Sequence, residues 1–193
     1  MATPRTAPEL ARVIADVLEA EGLPYAIGGA LALGFYAPPR ATVDVDVNVF
    51  VAPSQGFDRT LSALAKTGFV PEGDVDALRD QACSEGQFRG RLDGMRVDVF
   101  VPAIDFYARL ADRRRKVSLL GRPIWILAAE DLVVLKLMFY RRKDLADIEA
   151  VLAEQGATLD RGYVHRTITE LVGADDERVA ALRAIEHDVD RTE

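Results

Sequence analysis

The run Thr42-Val43-Asp44-Val45-Asp46-Val47-Asn48-Val49 changes between polar and apolar at every step. A period of two is the mark of a half-buried β-strand. Val43, Val45, Val47 and Val49 then point to one face, and Asp44, Asp46 and Asn48 to the other. The two carboxylates sit about 6–7 Å apart at their Cα atoms. Held away from water, such a pair is costly unless one hard cation is shared between them. A strand of this kind commits the chain to a sheet whose valine face is covered and whose acidic face stays accessible.

Composition limits what else the chain contains. With 193 residues, 49% of them hydrophobic, it has material for one substantial core with a helical appendage. Cys83 is the single cysteine, so no intramolecular disulfide forms, which suits a reducing cytoplasm. His165 and His187 lack a partner at ligand spacing, which argues against zinc. The uncharged run from Leu23 to Pro39 is too broken by glycine and proline to span a membrane. The net charge is −7, but Arg89 to Lys143 carries thirteen Lys and Arg against six Asp and Glu, a local balance of +7. A basic face on an acidic protein attracts phosphates.

Residues 7–21 read as an amphipathic helix with Leu10, Val13, Ile14, Val17 and Leu18 as its apolar stripe. Pro24 to Ile27 reads as a short strand. Gly28-Gly29-Ala30 then turns the chain into a helix, lets backbone approach closely and offers free N–H groups to an anion. Residues 57–66 read as a helix, and 69–84 read ambiguously. Gln87–Arg91 and Met95–Val101 form a hairpin around Asp93-Gly94. Its second strand carries Asp98 in an apolar run; the bland reading is an edge strand with Asp98 in solvent. Ile104–Arg115 reads as a helix ending in Arg113-Arg114-Arg115-Lys116. A further hairpin turns around Gly121-Arg122. From Ala128 the pattern is helical, with Lys136 interrupting an apolar stretch. One straight helix through Ile148 would align Lys136, Tyr140, Lys143 and Asp147, since Lys143 and Asp147 fall within about 20° of Lys136; the bland reading is a solvent-facing polar stripe, and a break near Arg141 would spoil the alignment. Residues 158–193 read as two more helices.

Singly these signals are weak; together they describe one machine. Asp44, Asp46 and Asp98 have the chemistry to hold two Mg2+ ions. The Gly28-Gly29 turn suits a triphosphate, and Lys136 and Arg40 suit its charge. That is the two-metal layout for in-line displacement at phosphorus. Asp98 is placed to accept the proton of the attacking hydroxyl.

Gly28-Gly29-Ala30, Arg40-x-Thr42-x-Asp44-x-Asp46 and the later Asp98 resemble the DNA polymerase β-like nucleotidyltransferase superfamily, with a slightly long interval from Gly29 to Asp44. Glu130-Asp131-Leu132, Lys136 and Lys143-Asp144-x-x-Asp147 narrow the resemblance to the AbiEii-type toxins, including the MenT group. It covers about residues 23–150. It implies a Mg-dependent enzyme that moves a nucleotide, a pyrimidine in the MenT group, from an NTP to the 3′ end of tRNA. It also implies a cognate antitoxin. In its terms Asp44 and Asp46 are metal carboxylates, and Asp98 matches a third carboxylate that not every such toxin keeps. Arg40, Thr42, Lys136 and Lys143 belong to the nucleotide site, and Asp147 or Asp144 is the later acid.

The expected architecture is α+β. A small mixed sheet carries helices on one face, with a nucleotidyltransferase core over 1–127 and a helical region over 128–193 that completes the nucleotide and substrate site. Two other readings stay open. One is an enzyme of this fold acting on a small molecule such as an aminoglycoside. The other is a non-catalytic binding module.

Overall fold

The structure, a computed structural model, describes residues 4–191. It is α+β and divides into two compact units. The first takes residues up to Leu31 together with Ala41–Leu127; the second takes Ala32–Arg40 together with Ala128 onward.

The first unit is built on a seven-stranded mixed sheet. In chain order its elements are α1 (Ala7–Ala20), β1 (Tyr25–Ile27), α2 (Gly29–Leu33, which runs on past Leu31), β2 (Asp44–Val49) and α3 (Pro53–Ala65). Then come β3 (Val70–Pro71), α4 (Val75–Glu85), β4 (Gln87–Leu92), β5 (Met95–Phe100), α5 (Asp105–Arg113), β6 (Arg115–Leu119) and β7 (Arg122–Ile126). The sheet order is β3-β4-β5-β2-β1-β7-β6. The alternating strand lies in the middle, antiparallel to β1 and parallel to β5. Val45, Val47 and Val49 are wholly buried, each stabilising the fold by up to about 1.5–3 kcal/mol. Helix α1 packs on β1, β2 and β7 and against α3. Its buried face is Leu10, Ile14 and Leu18 with Ala7, Ala11 and Ala15. The capping box of Thr6 and Glu9 starts it.

Several boundaries differ from the sequence reading. Val43 falls outside β2 and is 81% exposed. Helix α3 starts at Pro53, because a proline at the first helical position loses no bonded N–H. The ambiguous 69–84 holds a two-residue strand and α4, capped by the Asp74 carboxylate on the Asp76 and Ala77 N–H groups and closed by left-handed Gly86. The hairpin at Asp93-Gly94 forms as expected, both residues having positive φ. The second hairpin turns at Leu120-Gly121, with Leu119 paired to Arg122. Its first strand begins at Arg115, so the basic cluster is divided between the end of α5 and β6.

The second unit contains α6 (Ala129–Phe139), α7 (Arg142–Gln155), α8 (Arg161–Val172) and α9 (Glu177–Asp190). Helix α6 packs on α7 and α8, and α7 on α9. Every residue from Ala129 to Leu137 is buried. The single straight helix through Ile148 is not formed. Tyr140 turns left-handed at φ 52° and Arg141 is extended, so α6 stops and α7 restarts. The Asp144 carboxylate takes the Arg141 N–H and caps the new helix. No helix among the described residues is long and apolar enough to cross a membrane.

Candidate active site

The register of the parallel pair β2 and β5 decides where the acids lie. Asp46 stands directly beside Asp98, and Asp44 beside Arg96. Neighbouring strands are about 4.8 Å apart, so Asp44, Asp46 and Asp98 share one patch of one sheet face. β5 is an interior strand between β4 and β2. Asp98 is therefore buried, not an edge residue in solvent.

Guanidinium groups meet these carboxylates. Arg96 spans two of them, with Nη2 at 2.5 Å from Asp44 Oδ2 and Nε at 3.1 Å from Asp98 Oδ2. Arg89, opposite Asp98 on β4, donates from Nε to Asp98 Oδ1 at 2.5 Å. The Thr42 hydroxyl donates to Asp44 Oδ1 at 2.6 Å. Thr42 thus holds a metal-type carboxylate in place. Sequence alone assigns neither arginine a role, because their value depends on a register that one strand does not reveal.

The glycine turn lies under Asp46. The Gly28 N–H donates to the Asp46 carbonyl at 2.9 Å. Gly29 has φ +54°, and a Cβ there would fall 1.6 Å from Asp46 Oδ2. A Cβ on Gly28 would meet Asn48 Nδ2 at 2.8 Å. The two glycines thus make room for the polar side chains of β2. Tyr107 on α5 lies within electrostatic reach of Asp46, which sequence reading missed. Burial, and then the charge of Asp46, push its phenol up to about 12. An aromatic residue on a helix after β5 carries no signal by itself.

The donor set suits a hard divalent cation, since the three acids offer only oxygen and one Asp46 oxygen occupies the space that a Gly29 side chain would fill. Among the described residues no three His, Cys, Asp or Glu side chains already converge as a cage. Arg96 lies between two of the three acids.

The second unit gathers the other expected residues. Lys136 Nζ lies 2.6 Å from Asp147 Oδ2 and 3.7 Å from Asp144 Oδ1. Arg40 grips Asp147 with both arms of its guanidinium, at 3.0 and 2.9 Å. Arg141 holds Asp144 at 2.6 Å. Burial pushes the Asp147 carboxyl up, but hydrogen bonds from Arg40 and Lys136 outweigh it and leave the group below the usual carboxylate range. Asp147 rather than Asp144 is the main partner of Lys136. Lys143, aligned with Lys136 by the straight-helix argument, is exposed, while Asp144 and Asp147 are buried. Glu130 and Asp131 tie α6 to the start of α8: Asp131 accepts from the Tyr163 hydroxyl at 2.6 Å, and Glu130 from the Asp160 N–H at 3.3 Å.

No family model matches this sequence, and no curated protein matches it. Solved structures do. The antibiotic-resistance factor ANT(2'')-Ia is similar over 94% of this chain and 97% of its own, with TM-score 0.60 and 14% identity. The chain has the nucleotidyltransferase fold. An antigenic nucleotidyltransferase-like protein from Paracoccidioides brasiliensis is similar over 91% of this chain and 92% of its own, with TM-score 0.52 and 16% identity. The lincosamide antibiotic adenylyltransferase LnuA is similar over 77% of this chain and 98% of its own, with TM-score 0.51 and 14% identity. At such identities the likeness is one of fold, and the roles of individual residues rest on their own geometry.

Proposed function

We propose that this protein is a Mg-dependent nucleotidyltransferase that adds a nucleotide, a pyrimidine in the narrowest reading, to the 3′ end of tRNA and releases pyrophosphate. The observation that carries the reaction type is the in-register pair Asp46 and Asp98 with Asp44 on the same face. Three acids brought to one face of a nucleotidyltransferase-fold sheet by strand register have no packing role that a neutral side chain would not fill better.

The terminal ribose hydroxyl bonds to the α-phosphorus of the NTP as the bond from that phosphorus to the bridging oxygen of the β-phosphate breaks. The nucleotide joins the RNA and pyrophosphate departs. Asp44, Asp46 and Asp98 are the residues that would hold magnesium, which supplies charge neutralisation at the phosphates and a more acidic hydroxyl. Asp98 takes the hydroxyl proton, for which one of its guanidinium partners must let go. Thr42 keeps Asp44 oriented. Arg40 and the exposed Lys143 are assigned to nucleotide phosphate by resemblance; Lys136 is assigned to the same site by resemblance, and its buried pairing with Asp147 and Asp144 gives it the role of holding those acids in place.

The tRNA acceptor, the toxin role and a cognate antitoxin rest on the resemblance to AbiEii-type toxins. The basic balance between Arg89 and Lys143 supports a polyanionic acceptor. Transfer to a small molecule is the second reading, prompted by similar structures described as an antibiotic-resistance factor and a lincosamide antibiotic adenylyltransferase. Labelled NTPs offered with tRNA or with an aminoglycoside separate the two. Label in tRNA, lost in Asp44→Ala, is the expected result; label in the small molecule alone refutes the tRNA reading. Expression should also arrest growth, and Asp44→Ala should relieve the arrest.

A further inference from the structure

The basic cluster at the end of α5 is not used by the carboxylate site. It meets the chain's single tryptophan. Lys116 on edge strand β6 is the cross-strand partner of Trp125 on β7. The Arg114 guanidinium lies 4.5 Å from the Trp125 ring centroid and the Lys116 ammonium 5.4 Å from it. Two cations thus lie near one half-buried indole, with exposed Arg115 between them in sequence. Beside the indole opens a recess of about 240 Å³, whose walls include Leu23, Pro24, Tyr25, Arg114 and Glu19, the last accepting a hydrogen bond from the Tyr25 hydroxyl at 3.0 Å. The Arg114 guanidinium also reaches the Tyr25 carbonyl, at 3.5 Å. The recess sits at the start of β1, the end of that strand away from Gly28 and Asp46.

We infer that Trp125, Arg114 and Lys116 form a platform for single-stranded RNA, one base entering the recess against the indole while the cations hold the adjoining phosphates. The inference rests on the reading of the acceptor as an RNA. The recess is smaller than the 300–1,000 Å³ or so that encloses a drug-sized ligand. It takes one ring system of a longer molecule whose remainder lies on the surface. An aromatic face beside a cationic track is how proteins hold single strands without reading sequence. The competing explanation is that lysine and arginine merely protect an edge strand from pairing with another chain. That role needs no indole and no recess.

The single tryptophan gives a direct readout. A short single-stranded oligoribonucleotide of mixed sequence, titrated without NTP, should quench its fluorescence saturably, and added salt should weaken the effect. Arg114→Gln with Lys116→Glu should weaken binding about tenfold or more at low salt, with circular dichroism unchanged. Trp125→Ala, followed by anisotropy of labelled RNA, should weaken it too. In transfer assays the double variant should raise KM for RNA and leave kcat near wild type. Absence of quenching, quenching as strong with a mononucleotide, or binding indifferent to all three substitutions overturns the platform. Transfer to RNA with an unchanged KM in the double variant overturns the platform and leaves the function standing. Quenching that persists when label never enters RNA supports the platform and fails the function.

Discussion

Two clusters of acids and cations stand out among the described residues; both carry half-exposed arginines, Arg40 and Arg141 in the helical unit included, but only the second has a buried cation at its centre. On the sheet, Arg89 and Arg96 meet Asp98 and Asp44 with side chains 49% and 41% exposed. In the helical unit, Lys136 meets Asp147 and Asp144 with all three side chains under 10% exposed. Half-exposed arginines can leave for water at little cost, so the carboxylates they neutralise remain available to a metal. A buried lysine has nowhere to go. Removing one member of such a group strands the others in a poor solvent. The first cluster is built for exchange of partners, and the second for permanence.

The contrast can be broken most sharply at Asp46. Asp46→Asn should reduce transfer by about 100-fold to 1,000-fold, since charge stabilisation by a bound metal is worth several kcal/mol and each 1.36 kcal/mol is tenfold. Melting temperature should barely move. An active Asp46→Asn would remove the sheet cluster from the chemistry.

Next in size is the buried group. Lys136→Met or Asp147→Asn should cost about 3–5 kcal/mol of stability by denaturant titration, so loss of activity in either must be read beside folding. Asp147 also predicts an acid limb. Its carboxyl ionises at lower pH when folded than unfolded. Its contribution is therefore complete above the ordinary range near about 3.9 and is lost as pH falls through the lowered value. Asp147→Asn should flatten that part of the stability profile.

Tyr107 gives a smaller effect that reports on the sheet site alone. Its phenol is raised to about 12, against about 10 in the unfolded chain. The stabilisation it reflects is complete below the unfolded value and is lost as pH rises towards the folded one. The phenolate absorbance difference between wild type and Tyr107→Phe should show this titration, and Asp46→Asn should move it down. A titration at the ordinary value would place Tyr107 in water, away from the acid.

The smallest stability change should follow Arg96→Gln, about 0–1 kcal/mol, as for partly exposed ion pairs. Mn2+ titrations of that variant should show tighter binding, because a guanidinium no longer competes for Asp44 and Asp98. Weaker binding would mean that Arg96 helps to assemble the metal site and does not compete with it.

What could be read from the sequence follows the range of each signal. The Asp93-Gly94 hairpin is a local pattern and forms where expected, whereas the alternation of β2 starts at Asp44 with Val43 exposed, and the stripe of α1 buries Leu10, Ile14 and Leu18 but leaves Val13 and Val17 half-buried. The break between α6 and α7 falls at Arg141, where the sequence leaves it open as an alternative, since no glycine or proline marks it. Tyr140 takes a conformation that asparagine or glycine usually fills, and the stop is enforced by Asp144 capping Arg141. The acids of the sheet site were visible because they interrupt apolar runs. Arg89, Arg96 and Tyr107 were not, since each becomes meaningful through a strand register or a helix position that spans many residues. One straight helix would bring Lys136 and Asp147 to a shared face. They pair in the structure because the chain turns back between them.

Gly29 and Asp46 belong to different elements yet cannot vary independently. Any L-residue at position 29 meets an unfavourable backbone angle and also runs into the Asp46 carboxylate. The substitution Gly29→Ala would be rescued only by shortening the acid, which would remove the reactive group. A library randomising both positions should therefore yield functional clones only where the original pair survives, and that linkage confines any redesign of this turn to its neighbours.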